Sequence, residues 1–384
     1  MVMDHGIIND KGKIKSTLKG ELYTSPTIFK LEKEHIISKS WILVGFAYEV
    51  AKPGQYITTR VEDENILIVR GKDSVLRAFL NVCRHRGAKL CSASSGKTGA
   101  IRCPYHSWSY SLDGSLIGVP NTSHCREELV HNENYALDSV HLEVWHGMIW
   151  INLSENPLSI EESLDTQILE RFGELNTFSR YQIQNLEVAH RKDYEVEANW
   201  KLIVENFQEC YHCSSIHPEL TAALPEFRSG VGTQNSVGTG AKFDDTLEAF
   251  SINGKGSRPM LKGLLPEDDR TYFGMTILPL VFINLTPDHV IIHRIIPISA
   301  EKSKVICEWL FDPEEMAKPE FDPRDAVELF HRVNLQDFEA CEWCQENMGS
   351  KAYKEGGILV PIEQHVSHFY NYVLEAIGMK MKVE

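Results

Sequence analysis

The sequence predicts an α+β protein in two parts: a β-rich N-terminal part, then a larger part that combines antiparallel sheet with long helices. Short runs of strand character, separated by turn residues such as Pro53 and Gly54, fill residues 42–82. Later strand runs are followed by two amphipathic stretches, at residues 325–345 and 363–377. The length of 384 residues suits about two domains.

The elements follow in order along the chain. Residues 1–20 lack periodicity and predict a mobile tail, and the apolar spacing from Thr27 to Trp41 predicts one amphipathic helix. Asp113 and Gly114 predict a hairpin turn. The Gly-, Ser- and Asp-rich stretch 225–270 predicts a flexible cover over a pocket. The strand runs of the larger part lie at residues 187–197, 274–284, 290–298 and 304–311.

These elements divide the chain into three predicted segments. Residues 1–39 form the tail and a helix that packs on the C-terminal part, and residues 40–155 form a small β domain. Residues 156–384 form the α+β domain, after a linker at Asn156 and Pro157.

Composition narrows the function. A net charge of −15 argues against nucleic-acid binding. No run of 18 apolar residues predicts a membrane span, and the polar start does not resemble a signal peptide. Nine cysteines, an odd number, indicate reduced thiols and metal ligands, so we expect a cytoplasmic protein.

Two loops each offer one thiolate and one imidazole: Cys83 and His85 in the first, Cys103 and His106 in the second. Such a set holds either zinc or a [2Fe–2S] cluster in which two imidazoles replace two thiolates. Zinc fingers usually place like ligands together. The mixed order therefore favours a cluster of the Rieske kind. A zinc protein, or a protein that only carries electrons, is the remote alternative.

A second candidate site follows at His212 and His217. Positions five apart on a straight helix diverge by about 140°, but Ser214, Ser215 and Pro218 predict a loosened helix that lets both rings converge. Adding one carboxylate gives the ligand set of mononuclear non-haem iron.

The carboxylate of this set is best supplied by Asp337, although spacing alone leaves Glu339 and Glu342 open. The Cys210/Cys213 and Cys341/Cys344 pairs are interpreted as buried packing residues.

Together these motifs resemble the oxygenase (α) component of the Rieske non-haem iron oxygenases, from about residue 23 onward. The match includes the Trp41 region, both cluster loops, residues 199–202, 205–206, 211–212 and 217–218, and the C-terminal helix with Asp337. The resemblance implies a Rieske [2Fe–2S] domain and a helix-grip catalytic domain. Its implied ligands are Cys83, His85, Cys103 and His106 for the cluster, and His212, His217 and Asp337 for a mononuclear Fe(II).

The resemblance also implies a head-to-tail homotrimer, in which the cluster of one subunit lies beside the iron of its neighbour. Glu209 then bridges the two sites, facing His106 across the interface. Ring-dihydroxylating members usually carry Asp at this position. The stretch from Glu209 to Leu220 is most similar to the branch that includes glycine betaine, carnitine and stachydrine oxygenases.

The predicted function is a monooxygenase that uses O₂ to hydroxylate a carbon next to nitrogen in a quaternary ammonium or N-methyl substrate, giving N-demethylation or C–N cleavage. An aromatic-ring hydroxylase or O-demethylase of the same family is the alternative. The chain has no G-x-G-x-x-G fingerprint, so NAD(P)H must be oxidised by a separate reductase of flavin or ferredoxin type.

A trimethylammonium group needs aromatic faces. The candidates are Phe207, Tyr211, Tyr272 and Phe282. A substrate carboxylate needs a cation, for which the sequence offers His293 and Arg294.

Overall fold

The computed structural model describes residues 15–130, 132–230, 237–256 and 258–379. It divides into two compact units. The first, here called the β-rich unit, comprises Ile37–Ile168 and Phe178–Glu187. The second comprises the described residues up to Ile36, Leu169–Thr177 and the described residues from Val188 onward. Most of the predicted tail lies outside the described residues, and the predicted domain boundaries stay predictions.

The β-rich unit is built on an antiparallel sheet whose strands are short and strongly apolar, as the runs in residues 42–82 predict. In spatial order the strands are Ile42–Phe46, Met148–Asn152, Ser139–Trp145, Leu76–Leu80, Glu64–Arg70, Gln55–Val61 and Ser95–Lys97. A smaller sheet pairs Ile101–Arg102, Ser109–Tyr110 and Leu116–Gly118. The turn expected at Asp113 and Gly114 joins the last two strands, and Gly114 takes a φ of +91° that favours glycine.

The second unit contains an antiparallel sheet with long helices, which confirms the α+β class. Its strands lie in the order Glu187–Val196, Lys302–Phe311, Val290–Ser299, Val281–Leu285, Thr271–Ile277 and Ala241–Lys242. The prediction of one strand over residues 274–284 is wrong, because that run forms two strands of a hairpin. Pro279, which has no N–H to donate, lies in the turn between them.

The α-helices vary from single turns to one of 24 residues. In chain order they are Glu21–Thr24, Pro26–His35, Arg126–Val130, Thr166–Phe172, Asn176–Ser179, Trp200–Phe207, Cys213–Ile216, Pro218–Ala223, Pro313–Met316, Arg324–Asn347 and Gln364–Ala376. We call Arg324–Asn347 the long helix. None of the described helices is both long and apolar enough to cross a membrane.

The predicted single helix from Thr27 to Trp41 is wrong. The helix begins at Pro26, with Ser25 as its N-cap, and ends at His35. Trp41 instead leads into the strand Ile42–Phe46, and its indole N–H donates to the carbonyl of Leu158, 3.0 Å away. The apolar spacing continues through two different elements, so periodicity alone cannot find the helix end.

The helix Trp200–Phe207 is anchored by buried polar groups. Asn199 caps it, accepting from the backbone N–H of Lys201 at 2.9 Å. The ammonium of Lys201 is fully buried and donates to Glu32 at 2.5 Å and to Asn199 at 2.8 Å. A buried charge is tolerated only when it is paired in this way.

Glu205, on the same helix, ties together three segments of the second unit. Its carboxyl group accepts from the hydroxyls of Tyr23 at 2.8 Å and Tyr370 at 3.2 Å. Burial raises the pKa of Glu205 to about 8, although the two hydroxyls and Lys201 act in the opposite direction. The protonated, neutral carboxyl is therefore the form that this core favours near neutral pH.

We expect a pH-dependent contribution of Glu205 to stability. Because its pKa is raised on folding, the stabilisation is complete below the ordinary value of 4.5 and is lost as pH rises through about 8. Between these values the wild type should lose up to about 1.4 kcal/mol per pH unit relative to Glu205→Gln. Urea unfolding at several pH values measures this. The control Glu346→Gln, at an exposed position, should show no such slope, and a flat difference for Glu205→Gln would contradict the prediction.

Candidate metal centres

The first candidate centre lies in the two loops of the β-rich unit, which share one backbone pattern. In the first loop, the N–H of Gly87 donates to the carbonyl of Cys83 at 3.0 Å. In the second, the N–H of Ser107 donates to the carbonyl of Cys103 at 3.1 Å. Gly87 and Ser107 both take positive φ, +73° and +59°, so each loop turns back four residues after its cysteine.

The thiols and imidazoles of these loops form two separate pairs. Cys83 and Cys103 are each 2% exposed within the core of the unit, and their thiols interact with each other. His85 and His106 are exposed, with ring centroids 4.7 Å apart. This separation suits a two-iron cluster, in which one iron takes both sulfurs and the other takes both nitrogens.

Aromatic residues support the loops. The ring of Trp108 stacks on His85 with centroids 4.9 Å apart, nearly parallel. The hydroxyl of Tyr110 lies 3.4 Å from Cys83 Sγ and accepts from the backbone N–H of Arg84 at 3.1 Å. These contacts hold the first loop against the small sheet.

The second candidate centre lies in the second unit, where a helix is broken as predicted. Cys213–Ile216 and Pro218–Ala223 flank His217, whose φ of −116° and ψ of 67° are not helical. The preceding helix, Trp200–Phe207, ends before His212 is reached. Glu209 therefore reaches His212 from a non-helical turn.

The structure brings His212, His217 and Asp337 together, with one ligand atom of each within 4.8 Å of the others. Asp337 Oδ1 lies 2.8 Å from His217 Nε2 and 3.4 Å from His212 Nε2. Two ligands at about 2.1 Å from a metal ion and at right angles are about 3.0 Å apart. The group thus fits a metal ion held on one face, and its binding of iron stays a prediction.

Both imidazoles turn the same nitrogen toward the centre, because each Nδ1 is occupied elsewhere. His212 Nδ1 hydrogen-bonds to Glu209, and His217 Nδ1 lies 2.7 Å from Gln336 Oε1. Such outer partners orient metal-binding histidines.

The electrostatics of the group favour a cation. Burial lowers the pKa of His212, but Asp337 and Glu209 outweigh it and raise the value to about 10. Burial likewise raises the pKa of Asp337, but hydrogen bonds to His212 and His217 lower it to about 2. The alternative carboxylates lie elsewhere: Glu339 is exposed, and Glu342 accepts from the backbone N–H of Glu197.

A pocket opens on this group, and its described lining is aromatic and acidic without any lysine or arginine. The lining residues are Asn206, Phe207, Gln208, Glu209, Cys210, His212, Cys213, His217, Leu220, Phe227, Gly230, Tyr272, Gly274, Phe330, Val333, Asn334, Asp337, Ile362 and His365. Of the four predicted aromatic residues, two line the pocket. Phe282 stacks behind Phe207 with centroids 3.9 Å apart, and Tyr211 is 57% exposed.

The two predicted cations are absent from this described lining. Arg294 is buried and donates twice to Glu308, at 3.0 and 2.8 Å. His293 is buried, and burial lowers its pKa to about 4, so its ring is neutral. His293 instead donates from Nε2 to Asn334 Oδ1 at 3.0 Å, a link between sheet and long helix that the sequence did not reveal.

The cysteine pairs are free thiols. Cys213 and Cys341 are buried, as expected of packing residues, but Cys344 is exposed. Cys210 and Cys213 both line the pocket, which the packing interpretation did not anticipate.

Two protein-family models match the chain, one over each part. Residues 40–137 match the model of the Rieske [2Fe–2S] domain, and residues 183–379 match that of the ring hydroxylating alpha subunit catalytic domain. The chain belongs to the oxygenase subunits of the Rieske oxygenases. This confirms the family, the fold class and the assignment as an oxidoreductase.

Named relatives of the oxygenase span nearly its whole length. It is 34% identical to the carnitine monooxygenase oxygenase subunit of Acinetobacter pittii, over 89% of this chain and 88% of that one. It is 28% identical to the glycine betaine monooxygenase oxygenase subunit of Pseudomonas aeruginosa, over 94% and 88%. The crystal structure of the quaternary ammonium Rieske monooxygenase CntA with L-carnitine superposes with a TM-score of 0.72 at 29% identity, covering 94% and 96%.

We expect Asp337 to be required for mononuclear iron. Asp337→Ala removes the carboxylate shared by both histidines, so the purified protein should lose this iron while the cluster absorbance stays. Iron analysis and the visible spectrum measure the two separately. Glu339→Ala, on the same helix, is the matched control and should keep all iron. Full iron occupancy in Asp337→Ala would show that the carboxylate is wrongly assigned.

Proposed function

We propose that this oxygenase hydroxylates a carbon next to nitrogen in a quaternary ammonium or N-methyl substrate that is betaine- or carnitine-like. The observation that carries the proposal is the pocket at His212, His217 and Asp337, whose described lining combines aromatic faces with carboxylates and lacks lysine and arginine. The relatives named as carnitine and glycine betaine monooxygenase oxygenase subunits support the same substrate class.

The lining suits a cation that cannot donate hydrogen bonds. A trimethylammonium group binds through ring faces and nearby negative charge. Phe207, Phe227, Tyr272 and Phe330 provide rings, and Tyr272 keeps its hydroxyl turned away by donating to Asn284 at 2.5 Å. Ferrous iron would offset the charges of Glu209 and Asp337, so no net positive charge would repel the ammonium group.

Each centre has a defined set of residues to hold its group. Cys83, Cys103, His85 and His106 would hold the cluster. His212, His217 and Asp337 would hold Fe(II) and leave other positions open. When bound, these groups supply one-electron transfer and oxygen activation.

The protein itself positions the substrate and excludes water. Hydroxylation of an N-methyl carbon gives a hemiaminal, which collapses to formaldehyde and the demethylated amine. Hydroxylation of the larger carbon chain beside nitrogen instead cleaves that C–N bond and releases trimethylamine.

The electrons come from NAD(P)H through a separate reductase, since the chain lacks a dinucleotide-binding fingerprint. We further propose that the subunits form a head-to-tail homotrimer in which Glu209 meets the partner subunit's His106. Glu209 already hydrogen-bonds to His212 Nδ1. One carboxylate can accept from two imidazoles and thereby connect the two centres.

A substrate panel tests the reaction. The chemically reduced enzyme is mixed with O₂ and glycine betaine, L-carnitine, choline or benzoate, and the products are measured. We expect formaldehyde or trimethylamine from at least one ammonium compound and no hydroxylated product from benzoate. In binding assays 3,3-dimethylbutanol, the neutral analogue of choline, should bind at least tenfold more weakly than choline. Turnover of benzoate alone would favour the aromatic-ring alternative.

A second experiment tests Glu209. Glu209→Gln should retain both metals and the trimer, yet oxidation of the pre-reduced cluster with substrate and O₂ present should slow by more than tenfold. Stopped-flow absorbance of the cluster measures this rate. The control is Glu363→Gln, which removes a carboxylate close to Glu209 that is not proposed to connect the two centres. Cluster oxidation at the wild-type rate in Glu209→Gln would mean that the electrons follow another route.

A further inference from the structure

The imidazole of His217 is held at both nitrogens by consecutive residues of the long helix. Its Nδ1 lies 2.7 Å from Gln336 Oε1, and its Nε2 lies 2.8 Å from Asp337 Oδ1. The ring is 1% exposed, so water does not compete for either nitrogen. The proposed function uses Asp337 but assigns nothing to Gln336.

The orientation of the Gln336 amide follows from its other partner. Its Nε2 lies 3.4 Å from Glu219 Oε2, and an ionised carboxylate can only accept a hydrogen bond. The amide nitrogen therefore faces Glu219, and the amide oxygen faces His217. The opposite amide orientation would place two acceptors against each other.

Glu219 is itself held by a cation. The guanidinium of Arg332, one turn before Gln336 on the long helix, lies 3.4 Å from Glu219 Oε1. Arg332 also donates to Glu328 at 2.8 Å. The Glu219 carboxylate thus lies between the guanidinium of Arg332 on one oxygen and the amide nitrogen of Gln336 on the other.

We propose that Gln336, oriented by Glu219 and Arg332, is a positioning residue that fixes His217 as the Nδ1–H tautomer. An amide oxygen cannot donate, so the proton of the neutral ring must lie on Nδ1. The lone pair of Nε2 is then available to a metal ion at the centre shared with Asp337 and His212. The inference rests on the proposed iron site and adds the residues that prepare one of its ligands.

The two histidines thus have partners of different kinds. His212 Nδ1 meets a carboxylate, that of Glu209. His217 Nδ1 meets a neutral amide, that of Gln336. The two rings are therefore oriented by different chemical groups.

Iron affinity in three variants tests the proposal. Gln336→Leu removes the acceptor and should weaken Fe(II) binding about 10- to 100-fold, the usual cost of losing such a partner. The exchanged pair, Gln336→Glu with Glu219→Gln, keeps an acceptor oxygen toward His217 without setting two carboxylates against each other, and should stay within a few-fold of wild type. Glu219→Ala frees the amide to rotate and should fall between them. Competition with a coloured iron chelator measures affinity without turnover, and the EPR signal of the nitric oxide adduct reports the ligand geometry.

The controls separate positioning from folding. Glu339→Leu, at an exposed position on the same helix, should bind iron like wild type. Thermal unfolding of Gln336→Leu and of the exchanged pair should be similar. Wild-type iron affinity in Gln336→Leu would overturn the proposal. Equal losses of iron affinity in Gln336→Leu and in the exchanged pair would overturn it as well. A wild-type protein that binds no mononuclear iron would overturn the proposed function as well.

Discussion

The candidate iron centre depends on a single turn of the long helix, from Asn334 to Asp337. Asn334 accepts from His293, which joins this turn to the sheet. Gln336 and Asp337 hold the two nitrogens of His217. Successive residues on a helix are rotated by about 100°, so both can reach one ring only if that ring lies against the helix between them. The non-helical backbone at His217 places it there.

In the β-rich unit the candidate cluster ligands differ in exposure: the two cysteines are buried and the two histidines are exposed. The thiols lie in the apolar core, where burial raises the pKa of Cys83. A thiol must lose its proton before its sulfur can bind a metal, so metal binding and deprotonation are coupled. The imidazoles lie outside, on the exposed ends of the same loops. The exposed ends of both loops are therefore their histidines.

The sequence predicts the grouping of candidate ligands well where they lie close together in the chain. Cys83 with His85, and His212 with His217, were found because local spacing carries the geometry. Asp337 could be preferred but not separated from Glu339 or Glu342, since only tertiary packing decides which carboxylate meets the histidines. Gln336 had no signal at all, because its role depends on Glu219, more than one hundred residues away.

The strand Val290–Ser299 shows why neither candidate cation for a substrate carboxylate lies in the described pocket lining. Residues Val290 to Ile295 are all buried, so the alternation that separates the faces of a strand is missing. A polar residue in such a strand must find a partner inside the protein. His293 finds Asn334 and stays neutral, and Arg294 finds Glu308.

The basic residues of this strand therefore add no positive charge to the described pocket lining. Lys201 is paired in the same way, because its ammonium group forms an ion pair with Glu32. Because each of these cations is paired within the protein, the described lining combines ring faces, carboxylates, amides, histidines, thiols and aliphatic groups without lysine or arginine. A cationic substrate would meet no lysine or arginine in this lining. The selection for an ammonium group that we propose would then depend on the internal pairing of nearby cations as much as on the aromatic rings.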